Sequence, residues 1–306
     1  MGYFYKIYGL MVRSEIELPE AYVIEEQAEY DVEIIYGVMP EQMKEKKREQ
    51  VVISTLLREY KWFYFDKEGY FFIENGSKIT VEPDDTADSK HIRSLVLGAC
   101  FGSIMYQREI ISIHGSAVVW KDKVIIISGN SGAGKSTVSA EFRKRGCLFL
   151  ADDTVAVTIE DGIIYANPAY PQQKLCTDAA RELGYNLNDL ELLQEEREKY
   201  AVLLDASYCR DKKEIAAMIC LDVHKEEHLL IKEITSGIKL EYIIANLYTS
   251  YDFKYIGMNP QVFKKCLEVA QKVPLIRAIR PENKNVAAQI VEEIIGLVDK
   301  SISVAC

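Results

Sequence analysis

Residues 123–136 read Lys-Val-Ile-Ile-Ile-Ser-Gly-Asn-Ser-Gly-Ala-Gly-Lys-Ser, a strand-like apolar run that passes directly into a glycine-rich loop. Gly129-x-x-x-x-Gly134-Lys135-Ser136 satisfies the GxxxxGK[ST] pattern in full. Phosphate chemistry explains the residue types. Gly129, Gly132 and Gly134 let the backbone turn its N–H groups inward, so that the loop, with Asn130, Ser131, Ala133 and Thr137, surrounds the β- and γ-phosphate oxygens. Lys135 offers those phosphates a mobile cation, and the Ser136 hydroxyl is a ligand for Mg²⁺. A helix expected from Lys135 to Arg145 adds the positive end of its dipole. Gly146 then stands where a left-handed C-cap residue is favoured.

Two features flank the loop. Cys147–Ala151 reads as the next strand and delivers Asp152-Asp153 one helix downstream. Adjacent carboxylates there suit Mg²⁺ handling or proton abstraction. On a regular strand they point to opposite faces, which implies different tasks. Upstream, His114 lies in Ile113-His114-Gly115-Ser116, one hairpin before the loop. A strand-end histidine is ordinarily structural; its place beside the loop makes it a candidate. Cys220, His224 and His228 have a CxxxHxxxH spacing that would converge only on a helix, and a strand followed by a turn is expected there, so no zinc site is expected.

Further out, the second half reads as mixed α/β. Ser116–Trp120 and Lys123–Ser128 form a hairpin across Lys121-Asp122, and Val155–Ile159 and Ile163–Tyr165 form another across Asp161-Gly162. Ile215–Leu221 and Leu229–Ile234 read as a strand pair, and Leu275–Ile279 as a further strand. Helices are expected over Ile238–Leu247, Val262–Lys272 (Asn259 as N-cap, Pro260 in the first turn) and Asn285–Lys300. The first 85 residues are β-rich instead, with short runs at Phe4–Val12, Val32–Tyr36, Trp62–Phe65, Phe71–Glu74 and Lys78–Val81. The charged run Lys44–Glu49 reads as a solvated helix face or loop. A helix follows over Ser89–Gln107. The expected organisation is a β-rich N-terminal domain, residues 1–86, and a phosphate-loop domain, residues 87–306.

The 306 residues are 48% hydrophobic and 27% charged, with a formal net charge of −10. That is an ordinary globular composition, and the absence of a basic stripe argues against a nucleic-acid partner. The acidity permits a basic peptide partner. Seven scattered cysteines without a CxxC pair fit a reducing cytoplasm. No run of about 18 apolar residues occurs, so no membrane span is expected.

The stretch from His114 to Asp153 resembles the catalytic core of HPr kinase/phosphorylase: His114-Gly115, the GxSGxGKS loop, Arg145-Gly146 and Ala151-Asp152-Asp153 stand at matching spacing. The resemblance implies an α/β fold of the HPr-kinase/phosphoenolpyruvate-carboxykinase type. It also implies ATP and Mg²⁺ as donor and cofactor, and phosphoryl transfer to a serine of a peptide or protein. Asp153 would be the general base, Asp152 would support it or the metal, and His114 would lie near the transferred group. The family's Glu-x-Arg-Gly-x-Gly signature is missing after Asp153, where Asn167–Leu175 reads Asn-Pro-Ala-Tyr-Pro-Gln-Gln-Lys-Leu. The second metal carboxylate is thereby unassigned, with Asp178 a candidate, and the phosphorylase activity and HPr as acceptor are in doubt. The opening Tyr8-Gly9-Leu10 and Ser14–Pro19 is more similar to kinases of lasso-peptide precursors. Such kinases are often homo-oligomers. A small-molecule kinase of the same core and a nucleotide-sensing module without transfer are the alternatives. Asp189–Lys199 and Arg210–Lys213 suggest a lid, with Arg210 or a neighbour facing the phosphates or the acceptor.

Overall fold

The computed structural model describes residues 2–25, 29–48, 54–56, 59–194, 198–235, 237–250, 253 and 257–305. Parts of the charged runs expected at 44–49 and 189–199 (Glu49 and residues 195–197), together with Cys306, lie outside the described residues.

The N-terminal sheet holds seven strands: β1 (Tyr3–Ile7), β2 (Leu10–Ser14), β3 (Val32–Tyr36), β4 (Ser54–Leu56), β5 (Tyr60–Phe65), β6 (Gly69–Glu74) and β7 (Lys78–Pro83). Their order is β1-β2-β3-β7-β6-β5-β4. The run Phe4–Val12, read as one strand, is a hairpin, because Tyr8 and Gly9 both take positive φ (56° and 81°) and reverse the chain. The charged run from Lys44 falls in a helix, Glu41–Arg48, that buries none of its residues. Ser89–Gln107 is helical throughout, with a π-helical turn at Val96–Cys100. That helical stretch buries Phe101, Ile104 and Met105 in a cluster shared with Tyr5, Phe71, Ile113 and Met218, so one core runs from the first sheet into the second.

The second sheet contains β8 (Ile111–Trp120), β9 (Lys123–Gly129), β10 (Leu148–Ala151), β11 (Thr154–Glu160), β12 (Ile163–Asn167), β16 (Lys213–His224), β17 (Leu230–Ile234) and β18 (Leu275–Pro281). The central β9 and β16 pair in parallel and are buried on both faces, as near-continuous apolar runs require. Along Val124–Ile127 and Ala217–Leu221 the side chains alternate between two cores. Val124, Ile126 and Met218 face the large core, while Ile125, Ile127, Ile219 and Leu221 face helices Lys135–Lys144 and Ala287–Ala305 through Val138, Phe142, Ile290 and Ile294. Each such fully buried side chain contributes roughly 1.5–3 kcal/mol. The expected pairing of β16 with β17 is corrected: β18 lies between them, parallel to β16 and antiparallel to β17. Local runs identify strands, but the helix Pro260–Lys272 carries the chain back so that β18 inserts at that edge. Asn259 caps this helix as expected, its side chain accepting from the Gln261 N–H.

Three further strands, β13 (Gln172–Cys176), β14 (Glu191–Gln194) and β15 (Lys199–Leu203), make a small sheet in the order β13-β15-β14. It was not anticipated, and it occupies the stretch where the family signature is missing. Among the described residues no helix is long and apolar enough to cross a membrane.

Candidate active site

The phosphate loop connects β9 to the helix Lys135–Lys144, with Gly134 in the left-handed N-cap position (φ 98°). Its first glycine is set by close approach. A Cβ on Gly129, at φ 137°, would lie 2.4 Å from the Leu221 carbonyl oxygen of β16. Lys135 folds onto the loop, donating to the carbonyls of Gly129 (2.8 Å) and Asn130 (3.1 Å). From the end of β18, Arg280 donates to the carbonyls of Ala133 (2.8 Å) and Gly132 (3.0 Å) and so braces the loop from outside. No pattern in the sequence marked Arg280.

The carboxylates occupy a kink in a long antiparallel ladder. β10 and β11 both pair with β8, Ala151 opposite Ala117 and Thr154 opposite His114. Between these registers the Thr154 N–H donates to the Asp152 carbonyl (2.7 Å), which closes a three-residue turn around Asp153 at φ 66°. Such turns are strained, and backbone strain of this kind concentrates at functional sites. The regular strand assumed for Asp152-Asp153 is therefore absent. What separates the two carboxylates is their surroundings.

Asp152 is buried, 7% exposed, and both of its oxygens accept protein hydrogen bonds. Ser116 donates its hydroxyl to Oδ1, and the Lys174 main-chain N–H donates to Oδ2 (2.9 Å). Burial pushes this carboxyl up, against the two donors. Asp153 goes the other way. Burial would raise it, but Lys174, His114 and Lys199 outweigh burial and hold it below the usual carboxylate range. Lys174 Nζ stands 3.3 Å from Asp153 Oδ2, and His114 Nδ1 stands 3.9 Å from Oδ1. Burial of Lys174 is offset by Tyr170, Asp153 and Asp152, which keep its ammonium charged. His114 is pushed down by burial and then by the Lys135 charge, so it is neutral near pH 7. Its Nδ1 lies 3.0 Å from the Asp153 carbonyl, an acceptor only, which assigns the ring proton to Nδ1 and leaves Nε2 as an acceptor. Gly115 follows His114 because a Cβ there would sit 2.4 Å from the Ile127 carbonyl oxygen across the hairpin.

The structure thus gathers His114, Lys135, Asp152 and Asp153 into one electrostatic neighbourhood and adds Lys174, Lys199 and the buried Tyr8 and Tyr170. Tyr8 reaches it from the first hairpin, its ring 6.3 Å from that of Tyr170. Two candidates lie elsewhere. Asp178 is exposed in the first turn of helix Thr177–Glu182. Arg210 stacks over Tyr22 at 4.0 Å and lines a cavity with Lys121 and Asp122. That hairpin begins β9, whose seven residues place the phosphate loop about 20 Å away at the other end. Arg210 therefore does not face the phosphates in this structure. His224 Nε2 contacts the His228 carbonyl at 2.8 Å, while Cys220 is buried within β16.

For Mg²⁺, the Ser136 hydroxyl fits, because this ion is commonly held by one or two protein oxygens together with substrate phosphates and water. Asp152 already accepts one hydrogen bond on each oxygen, which leaves each oxygen a further lone pair that would be its only means of joining the ion.

The fold is that of an α/β protein with a glycine-rich phosphate-loop motif, and His114, Asp152, Asp153 and Lys174 gather near that loop. No family model matches the chain. Over 134 residues it is 28% identical to HPr kinase/phosphorylase of three strains of Streptococcus thermophilus. The match takes in 44% of this chain and 39% of the relative, so the chain spans about two fifths of the length of the curated relatives it matches. The solved structure of the Hpr(Ser) kinase/phosphatase from Coxiella burnetii aligns with 63% of this chain and 98% of that one, at 12% identity and a TM-score of 0.33. Over those 134 residues the chain is similar to HPr kinase/phosphorylase.

Proposed function

We propose that the protein is an ATP-dependent kinase that phosphorylates a serine hydroxyl of a peptide or protein, with residues 87–306 as the kinase unit and residues 1–86 as a β-rich accessory domain. One observation carries the reading: a charged carboxylate, Asp153, is held beside His114 at the strand kink next to the phosphate loop. A nucleotide sensor needs the loop but has no use for such a base.

In this mechanism Lys135 leaves the loop carbonyls to pair with the phosphates, alongside the N–H groups of residues 129–137. Ser136 would hold Mg²⁺, which when bound neutralises charge on the phosphate oxygens. Asp152, fixed by Ser116 and Lys174, keeps the kink in shape. The acceptor hydroxyl gives its proton to Asp153 as its oxygen bonds to the γ-phosphorus. The bond from that phosphorus to the β,γ-bridging oxygen breaks, and ADP leaves. With its ring proton on Nδ1, His114 holds the Asp153 main chain in the kink and does not donate from Nε2 to the phosphoryl group. The acceptor as a ribosomal precursor peptide, the cytoplasm as location and a homo-oligomeric state are further parts of the proposal. The first rests on the likeness of the opening residues to lasso-peptide precursor kinases.

The test is incubation with Mg-ATP and serine-bearing peptides, followed by mass spectrometry for the gain of one phosphate. Asp153→Asn should lower transfer by about 10³-fold while ATP affinity stays within about threefold. A wild-type protein that binds ATP yet phosphorylates no hydroxyl acceptor would sink the kinase reading.

A further inference from the structure

Among the described residues, Lys174 alone bonds to both carboxylate side chains, with a different part of itself for each. Its main-chain N–H donates to Asp152 Oδ2 at 2.9 Å, and its ammonium donates to Asp153 Oδ2 at 3.3 Å. The side chain is 15% exposed, so the ammonium has largely exchanged water for this carboxylate. Its strand is anchored on two sides. β15 pairs with β13 in the register Lys174 opposite Ala201, and Arg143, on the helix that starts at the phosphate loop, donates to Gln173 Oε1 at 2.8 Å. Lys174 is therefore held in step with the nucleotide loop as well as with the acidic kink.

We propose that Lys174 is a positioning residue for phosphoryl transfer: its ammonium pins Asp153 Oδ2, so that Oδ1, on the His114 side, is the oxygen presented to the acceptor hydroxyl. The proposal rests on the kinase reading above. Asp153 is central in a tight three-residue turn, and its carboxylate takes its orientation from side-chain partners. The His114 contact to Oδ1 is long, at 3.9 Å; the Lys174 contact supplies the anchor. Without it the two oxygens exchange places freely, and a displacement near 1 Å costs about 10²-fold in rate.

Lys174→Met removes the ammonium but keeps the main-chain N–H that braces Asp152. The expected result is a kcat about 10²-fold lower, with ATP affinity unchanged, and recovery of at least tenfold of that loss in Lys174→Arg. Three results overturn the proposal: Lys174→Met at the wild-type kcat, a parallel fall in kcat and ATP affinity, or Lys174→Arg no faster than Lys174→Met. Should Lys174→Met fail to fold, Lys174→Gln replaces it under the same criteria. The two readings fail separately. A wild-type protein that transfers phosphate to nothing removes the kinase assignment, whereas active wild type matched by active Lys174→Met removes only the role of Lys174.

Discussion

The phosphate loop uses eight consecutive residues, Gly129–Ser136, and works mostly through its backbone. The carboxylate side of the same site collects His114 and Ser116 from β8, Asp152 and Asp153 from the kink before β11, and Lys174 from β13, and it works through side chains. Backbone geometry at the loop is intolerant: Gly129, Gly132 and Gly134 all take positive φ, and at Gly129 a Cβ would also meet the Leu221 carbonyl oxygen. Side-chain geometry on the carboxylate side is a set of separable bonds, each removable with its own partial cost. The two sides should therefore respond to mutation in different ways.

The largest effect belongs to the loop. Gly129→Ala puts a Cβ 2.4 Å from a backbone oxygen of β16, at a φ of 137° that side chains rarely adopt. Neither strand can yield without disturbing the central sheet. The cost should be at least about 3 kcal/mol, with ATP affinity down by 10²-fold or more. Calorimetric titration and thermal unfolding measure both. Wild-type affinity in Gly129→Ala would break the contrast at its root.

On the other side, Asp152→Ala should separate stability from nucleotide binding. It strips the acceptor from the Ser116 hydroxyl and from the Lys174 N–H, both in the interior. Two abandoned buried donors cost about 2–4 kcal/mol. The cost is moderated because burial already disfavours the charged form of Asp152. ATP affinity should stay near wild type, since the Asp152 hydrogen bonds run to Ser116 and Lys174 and not to the loop or its helix. A collapse of ATP binding at unchanged stability would instead make Asp152 a direct participant on the nucleotide side.

The same contrast governs what could be read in advance. The loop, its strand and its helix are contiguous, and their chemistry follows from residue type and spacing alone. His114 and the Asp152-Asp153 pair were recognisable through their spacing from the loop. Lys174 was not. It lies 21 positions after Asp153, in a strand whose partner β15 returns only at Lys199, and nothing local distinguishes it from a solvated lysine. Tyr8 reaches the site because positive φ at Tyr8-Gly9 splits what looked like one strand. The position of β18 between β16 and β17 likewise depends on a long-range insertion that alternation of apolar residues cannot express.

The smallest effect expected is a pH dependence carried by His114, and it tests the neutrality of the ring. The groups facing it are Lys135, Asp152 and Asp153; burial and the Lys135 charge together hold its pKa below the ordinary value of about 6.5, against the two carboxylates. The unfolded chain therefore binds this proton more readily than the native state. Well above pH 6.5 the histidine is neutral in both states and contributes no slope. As pH falls below 6.5, the unfolded state gains the proton first, and native stability declines until the depressed native pKa is passed. His114→Asn keeps a donor for the Asp153 carbonyl but removes the titration. Tm measured from pH 7.5 to 5.5 should fall more steeply in the wild type than in His114→Asn, by on the order of one degree. The difference between the two proteins cancels the contributions of the other histidines. Parallel curves would mean that the ring gains no net penalty on protonation, and that the carboxylates, not Lys135, dominate its surroundings. A wild type that gains stability on acidification would reverse the sign altogether and make His114 a cationic partner of Asp153.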